Sequence, residues 1–271
     1  MLDAIEAVKE KMVLACKVLQ KQRVLDGYGH LTARLADGRI LSTPHMPPGK
    51  VALRDLIIID ADGNKLEGHG EPNGETAMHT SIYKARADVQ CILHYHPDEL
   101  IAVAASGQGI KVIANCGVHF YRGTPIYDSP ILIRNPQLGD KVAATLGDRN
   151  AVLLRGHGGT VVSNDLDTLL RLGLDLVRSA RIQILCAPLG PVKTHSQEEC
   201  QQMVKGHGLP NANRLHRLLY LRSCRLIPRP DLTHEQEPSS QFKSLMRKVW
   251  PLRPRPIVPQ RLRSTYFRQT A

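Results

Sequence analysis

Two histidines close the run Cys91-Ile92-Leu93-His94-Tyr95-His96, which Pro97 stops. Side chains alternate along an extended strand, so His94 and His96 project from one face of it. Two imidazoles on one face are half of a metal site; the plainer alternative is two partly buried histidines held by hydrogen bonds. A third, His157, follows the apolar run Ala151–Leu154 within Arg155-Gly156-His157-Gly158-Gly159. Its flanking glycines let the backbone carry an imidazole close to a shared centre. Three imidazoles leave positions open on an ion, as catalytic metals require. Glu75 stands at a loop-to-helix junction after Pro72-Asn73-Gly74. Its carboxylate could ligate the ion and then serve as acid or base, or it could simply complement a helix dipole.

Further residues could line such a centre. His30 is a pocket candidate, and Arg34 could pair with a substrate carboxylate or with a surface acid. His45 sits in a rigid Pro-rich loop, Thr43-Pro44-His45-Met46-Pro47-Pro48. His79, one helical turn after Glu75, suits packing or the support of a metal ligand. His119 and Tyr121 are candidate proton donors.

These residues need elements to position them. Ile5, Val8, Met12, Ala15 and Leu19 recur at helical spacing, predicting a helix over 3–22 that Gly27 and Gly29 end. Residues 29–35 alternate as a strand, Asp37-Gly38 is a hairpin turn, and 39–43 return. The run 56–60 is apolar and ends in Asp62-Gly63-Asn64. A helix over 76–87 precedes the strand 89–96, and a helix over 99–105 follows it with Asp98 as its cap. Residues 112–114 and 130–133 are short apolar segments. A helix is expected over 136–146 and a strand over 151–154, with 160–162 as its continuation past the glycines. Asn164 is expected to cap a long helix to about Leu185. Strands and helices mixed without strict alternation predict an α/β or α+β sandwich.

The formal charge of +11 over 271 residues is uneven. Residues 214–271 hold 13 Lys and Arg against 3 acids, whereas residues 1–213 are nearly neutral with 23 against 22. The charge step divides the chain into a catalytic domain, 1–213, and a basic extension, 214–271. The extension is expected to start with a helix over 214–225 and to continue without a core, since Pro and Arg replace regular apolar spacing. Its charge would suit nucleic acid or an anionic surface. No stretch is long and apolar enough to span a bilayer. Met-Leu-Asp-Ala-Ile-Glu lacks the charged start and apolar core of a signal peptide. The six cysteines, Cys16, Cys91, Cys116, Cys186, Cys200 and Cys224, are scattered without a CxxC pair. Together these features predict a reducing, cytoplasmic setting.

In combination, Glu75-x-x-x-His79, Ile82-Tyr83, His94-Tyr95-His96 and Arg155-Gly156-His157-Gly158 resemble the class II aldolase/adducin family over roughly residues 3–205. The resemblance implies a three-layer α/β/α fold around a mixed, largely antiparallel sheet. It implies one divalent ion per subunit, zinc or manganese, held by His94, His96 and His157, with Glu75 as the catalytic acid or base. It also implies a homotetramer with active sites between subunits. Sugar-phosphate members resemble one another in a Gly-Asn-x-Ser strand and a Ser-Ser before the glutamate, which hold the phosphate. This chain has Gly29-His30-Leu31-Thr32 and Asn73-Gly74 there. Asn115 stands near the place of a tyrosine that aldolases supply from a neighbouring subunit. The Gly-His-x-Thr-Ala-Arg form is similar to the branch that decarboxylates hydroxylated aromatic and pyridine carboxylates. The resemblance therefore implies a carbon–carbon lyase that decarboxylates a hydroxylated aromatic or heteroaromatic acid through a metal-stabilised enolate. His30, Arg34, Asn73, Gly74, His119 and Tyr121 would bind the small-molecule substrate. A sugar-phosphate aldolase or epimerase and a non-catalytic adducin-like interaction module are the alternatives.

Overall fold

A computed structural model of the chain describes residues 2–207. The apolar spacing at the start forms helix α1 (Leu2–Lys21), which buries Met12, Ala15, Cys16 and Leu19. Strands β1 (His30–Arg34), β2 (Ile40–Ser42), β3 (Ile57–Ile59) and β4 (Lys65–Glu67) follow as an antiparallel meander. Helix α2 (Thr76–Ala85) leads to β5 (Cys91–Tyr95) and α3 (Asp98–Ala105). Then come β6 (Ile126–Tyr127), α4 (Pro136–Leu146), β7 (Ala151–Leu154), β8 (Gly158–Ser163), α5 (Leu166–Cys186) and α6 (Gln197–His207).

The strands form one eight-stranded sheet in the order β4-β3-β2-β1-β5-β8-β7-β6. Every pairing is antiparallel except the short β6–β7 pair. The pleat sorts side chains into two cores. On one face Leu31, Leu93, Tyr95, Leu153 and Val161 meet α1, α3 and α5 through Leu19, Leu100 and Leu176. On the other, Ile40, Ile57, Ile92, Val152 and Val162 meet α2 and α4 through Met78, Ile82, Val142 and Leu146. Each fully buried aliphatic side chain contributes roughly 1.5–3 kcal/mol, so the two faces together hold the three layers. The expected α/β/α architecture with a mixed, largely antiparallel sheet is the one observed.

Several local expectations need correction. Asp98 is the first residue of α3, and Pro97 holds the cap position without a side-chain cap. The cap of α5 is Asp165, whose carboxylate accepts from the Thr168 N–H at 2.8 Å, so the helix begins one residue later than Asn164 would place it. Residues 160–162 do not prolong β7. The chain reverses at Gly156–His157, and β8 returns antiparallel to β7. Between the short apolar segments 112–114 and 130–133, neither of which is a strand, β6 adds a strand that hydropathy did not single out. β4 escapes hydropathy because Lys65, Leu66 and Glu67 are all exposed at the sheet edge, where charge discourages further pairing. The expected helix over 214–225 and the boundary at 213/214 lie outside the described residues.

Candidate metal centre

The register of β1, β5 and β8 places His30, His94 and Thr160 side by side, on the face that α2 covers. Two residues on, His96 leaves the end of β5 in the same direction. Gly158 brings β8 hard against that end: its φ is +153°, and a Cβ there would lie 2.3 Å from the Tyr95 carbonyl oxygen. This close approach delivers His157 from the β7–β8 turn. Glu75, at the cap position of α2, makes no capping hydrogen bond with its side chain. Its carboxylate is turned toward the histidines instead.

The four donor atoms converge. Nε2 of His94 and Nε2 of His96 are 2.9 Å apart. Oε2 of Glu75 lies 3.3 Å from Nε2 of His157 and 3.6 Å from Nε2 of His94. All four donors fall within 4.8 Å of one another. Ligands at metal–nitrogen distances of about 2.1 Å on a tetrahedral or octahedral ion would stand roughly 3.0–3.4 Å apart, so the set fits a divalent ion. The chemistry of the donors agrees. Nδ1 of His94 is 3.1 Å from the Gly159 carbonyl oxygen, which can only accept. Nδ1 must then carry the proton, and Nε2 presents its lone pair to the centre. Thr160 Oγ1, also 3.1 Å from Nδ1, supports the same ring position.

Electrostatics keep the ligands in the binding form. Burial, reinforced by the charges of His94 and His157, pushes the His96 imidazole down to about 3. Burial also lowers His94, although Glu75 pulls the other way. Burial works to raise Glu75, but hydrogen bonding to His157 and His94 and their charges hold it well below the usual carboxylate range. Burial thus favours the neutral imidazole at His94 and His96, beside a carboxylate held ionised, the state that a cation requires. The second carboxylate oxygen, Oε1, accepts the Ile133 N–H at 2.8 Å and is fixed by it.

A polar layer backs the ligands. His79 on α2 stacks against His30 with ring centroids 4.3 Å apart, and His30 lies 5.2 Å from His94. Nδ1 of His79 is 2.8 Å from Thr32 Oγ1, which is 2.9 Å from the Tyr83 hydroxyl. Nε2 of both His30 and His79 is buried without a hydrogen-bond partner among the described residues.

The structure thus brings Glu75, His94, His96 and His157 together, with His30 beside them. Asn73 and Gly74 form the adjoining loop; the Asn73 amide donates to the Thr43 carbonyl at 2.7 Å, tying the loop to the end of β2. Arg34 is elsewhere. It shares the α2-covered face with His30 but ends β1 opposite Ile40, at the other end of the strand, and its guanidinium donates to the Tyr83 carbonyl at 2.7 Å while stacking on the Tyr83 ring. A guanidinium committed to a carbonyl and a ring is a buttress for α2, which corrects its expected place beside a substrate carboxylate. His45 is exposed. His119 borders a cleft of about 290 Å³ with Arg86, Asn150 and Ser163, and Ser163 pairs with Cys91, at the opposite end of β5 from His94. Tyr121 packs with Val118, Val112 and Cys200. Neither joins the centre. Thr160 and Ile133 escaped the sequence reading; Thr160 was detectable only by recognising β8 as a returning strand.

Comparison with known proteins agrees with this geometry. The description "Class II Aldolase and Adducin N-terminal domain" matches residues 10–184. A 3,4-dihydroxyphthalate decarboxylase from Arthrobacter keyseri is 30% identical over 196 residues, 66% of this chain and 79% of the relative. A 5-methylthioribulose-1-phosphate/5-deoxyribulose-1-phosphate aldolase from Escherichia coli is 25% identical, covering 66% of this chain and 84% of the relative. Among solved structures, an aldolase II superfamily protein from Pseudomonas syringae superposes with a TM-score of 0.72 at 21% identity, covering 81% of this chain and 93% of that one. With its sheet, its His/Glu centre and these relatives, the chain belongs to the class II aldolase and adducin N-terminal domain family, as one of its lyases.

Proposed function

We propose that the protein is a metal-dependent decarboxylase of a hydroxylated aromatic or heteroaromatic carboxylic acid. The carrying observation is the convergence of His94, His96, His157 and Glu75 beside a loop that lacks hydroxyl side chains at Asn73-Gly74. The sequence similarity to dihydroxyphthalate decarboxylases supports the aromatic substrate class. His94, His96 and His157 hold the ion, zinc or manganese, since imidazole suits both. When bound, such an ion supplies Lewis acidity toward a substrate oxygen. Glu75 is ionised and fixed through Oε1, so its free oxygen can accept the proton of a ring hydroxyl. The proton then passes to the ring carbon as the bond to the carboxylate breaks. Carbon dioxide departs, its bonding pair stays with the ring, and one proton is consumed overall. His30, buried beside His94, forms the floor of the substrate site. The active assembly is a homotetramer, in which His119 and Tyr121 serve a neighbouring subunit's centre. The setting is a reducing cytoplasm, consistent with five free cysteines among the described residues.

Carbon dioxide release from a panel of hydroxylated aromatic acids tests this reading. Activity should vanish with chelator and return with manganese or zinc. Cleavage of a sugar 1-phosphate, with no carbon dioxide from any acid, would replace the reading with aldolase activity.

A further inference from the structure

The segment between β6 and α4 is an unassigned wall of the metal centre. Its Ile133 N–H holds Glu75 at 2.8 Å. The next residue, Arg134, is exposed, and its Nε stands 3.9 Å from where a Cβ on Gly74 would be. The guanidinium therefore lies against the loop that leads directly into Glu75. It has no ion-pair or hydrogen-bond partner among the described residues. That contrasts with Arg34, which is committed to carbonyls, and with Arg155, which pairs with Asp128. Ile131 and Leu132 beside it are 58% and 41% exposed, an apolar ledge that would suit the face of a ring.

Resting on the decarboxylase reading above, we propose that Arg134 is the specificity-determining residue that binds a second, non-reacting carboxylate, so the substrate is an aromatic dicarboxylate. A planar guanidinium matches a carboxylate through two parallel N–H donors, which fixes ring orientation as well as charge. Absence of a side chain at Gly74 leaves the Nε edge of the Arg134 guanidinium uncovered by the loop. The reacting carboxylate then faces the histidines and Glu75, and the second one, on the neighbouring ring carbon, turns toward Arg134.

The test is equilibrium binding to the metal-loaded protein, which does not depend on turnover. Phthalate, benzoate and inorganic phosphate serve as probes. Wild-type protein should prefer phthalate to benzoate; R134Q should lose about tenfold in phthalate affinity and almost none for benzoate, with metal content unchanged. R134K, which keeps the charge without the fork, should recover part of the preference. An unchanged phthalate-to-benzoate ratio in R134Q, or no preference in wild-type protein, overturns the assignment. So does phosphate binding more tightly than phthalate through Arg134, which would make the site a phosphate clamp. Protein that shows the Arg134-dependent preference but releases no carbon dioxide from any dicarboxylate would retain this assignment and sink the decarboxylase reading instead.

Discussion

At the centre, each of four side chains has one atom that no neighbour other than the cluster satisfies. His94 illustrates why: its Nδ1 proton is committed to Gly159 and Thr160, so Nε2 can only accept. Replacing His94, His96 or His157 by Ala should each lower bound metal, because two remaining imidazoles and one carboxylate are a weaker set; metal analysis of purified protein reads this. Glu75→Gln should behave differently. It keeps the oxygen that accepts from Ile133 and removes the charge and the proton-accepting capacity. Turnover should fall at least about a hundredfold, within the usual worth of acid–base catalysis, while metal content falls far less. Normal turnover in that variant would leave Glu75 a structural residue.

At the level of elements, the centre depends on how β8 docks against β5. Gly158 is the tightest point, with a positive φ that L side chains rarely adopt and with no space for a Cβ. Gly158→Ala must push the β7–β8 turn away from Tyr95. The expected outcome is loss of metal together with destabilisation of a few kcal/mol, read by metal analysis and urea unfolding. Gly156→Ala is the control. Its φ is +69°, but nothing lies within 4 Å of the added carbon, so backbone strain alone should act there. Equal metal loss in both variants would show that the close approach to Tyr95 is not what positions His157.

For the whole molecule, buried neutral histidines tie stability to pH. Burial, followed by the charges of neighbouring histidines, holds His30 and His79 well below their ordinary value, and His94 and His96 are lowered too. Between those folded values and the unfolded value of 6.5, the unfolded chain binds more protons. Metal-free protein should therefore lose stability as pH falls below about 6.5, before carboxylates such as Glu75 contribute near 4.5. A urea midpoint that stays level from pH 7 to 5 would contradict this. The basic extension is expected to be dispensable for chemistry, since residues 1–213 contain every metal-site residue. Truncation after Ile227 should preserve metal content and turnover and abolish salt-sensitive adhesion to anionic vesicles. Lost turnover with the metal retained would mean that the extension reaches the active site.

Much of this arrangement was legible in the chain because it is local. The alternation from Cys91 to His96 orients two imidazoles, and apolar spacing from Pro136 to Leu146 makes a helix whatever surrounds it. The motif residues around Glu75, His94, His96 and His157 carried the family and the donor set. Pairing between distant segments was not legible, because strand partners and register depend on which faces find burial together. Hydropathy could not show that β8 turns back on β7, which brings Thr160 to His94. Nor could it show that Arg34 is drawn away to the Tyr83 carbonyl, or that Ile133 and Arg134 come to rest beside Glu75 and Gly74. Those contacts join residues far apart in sequence, and tertiary packing alone selects them.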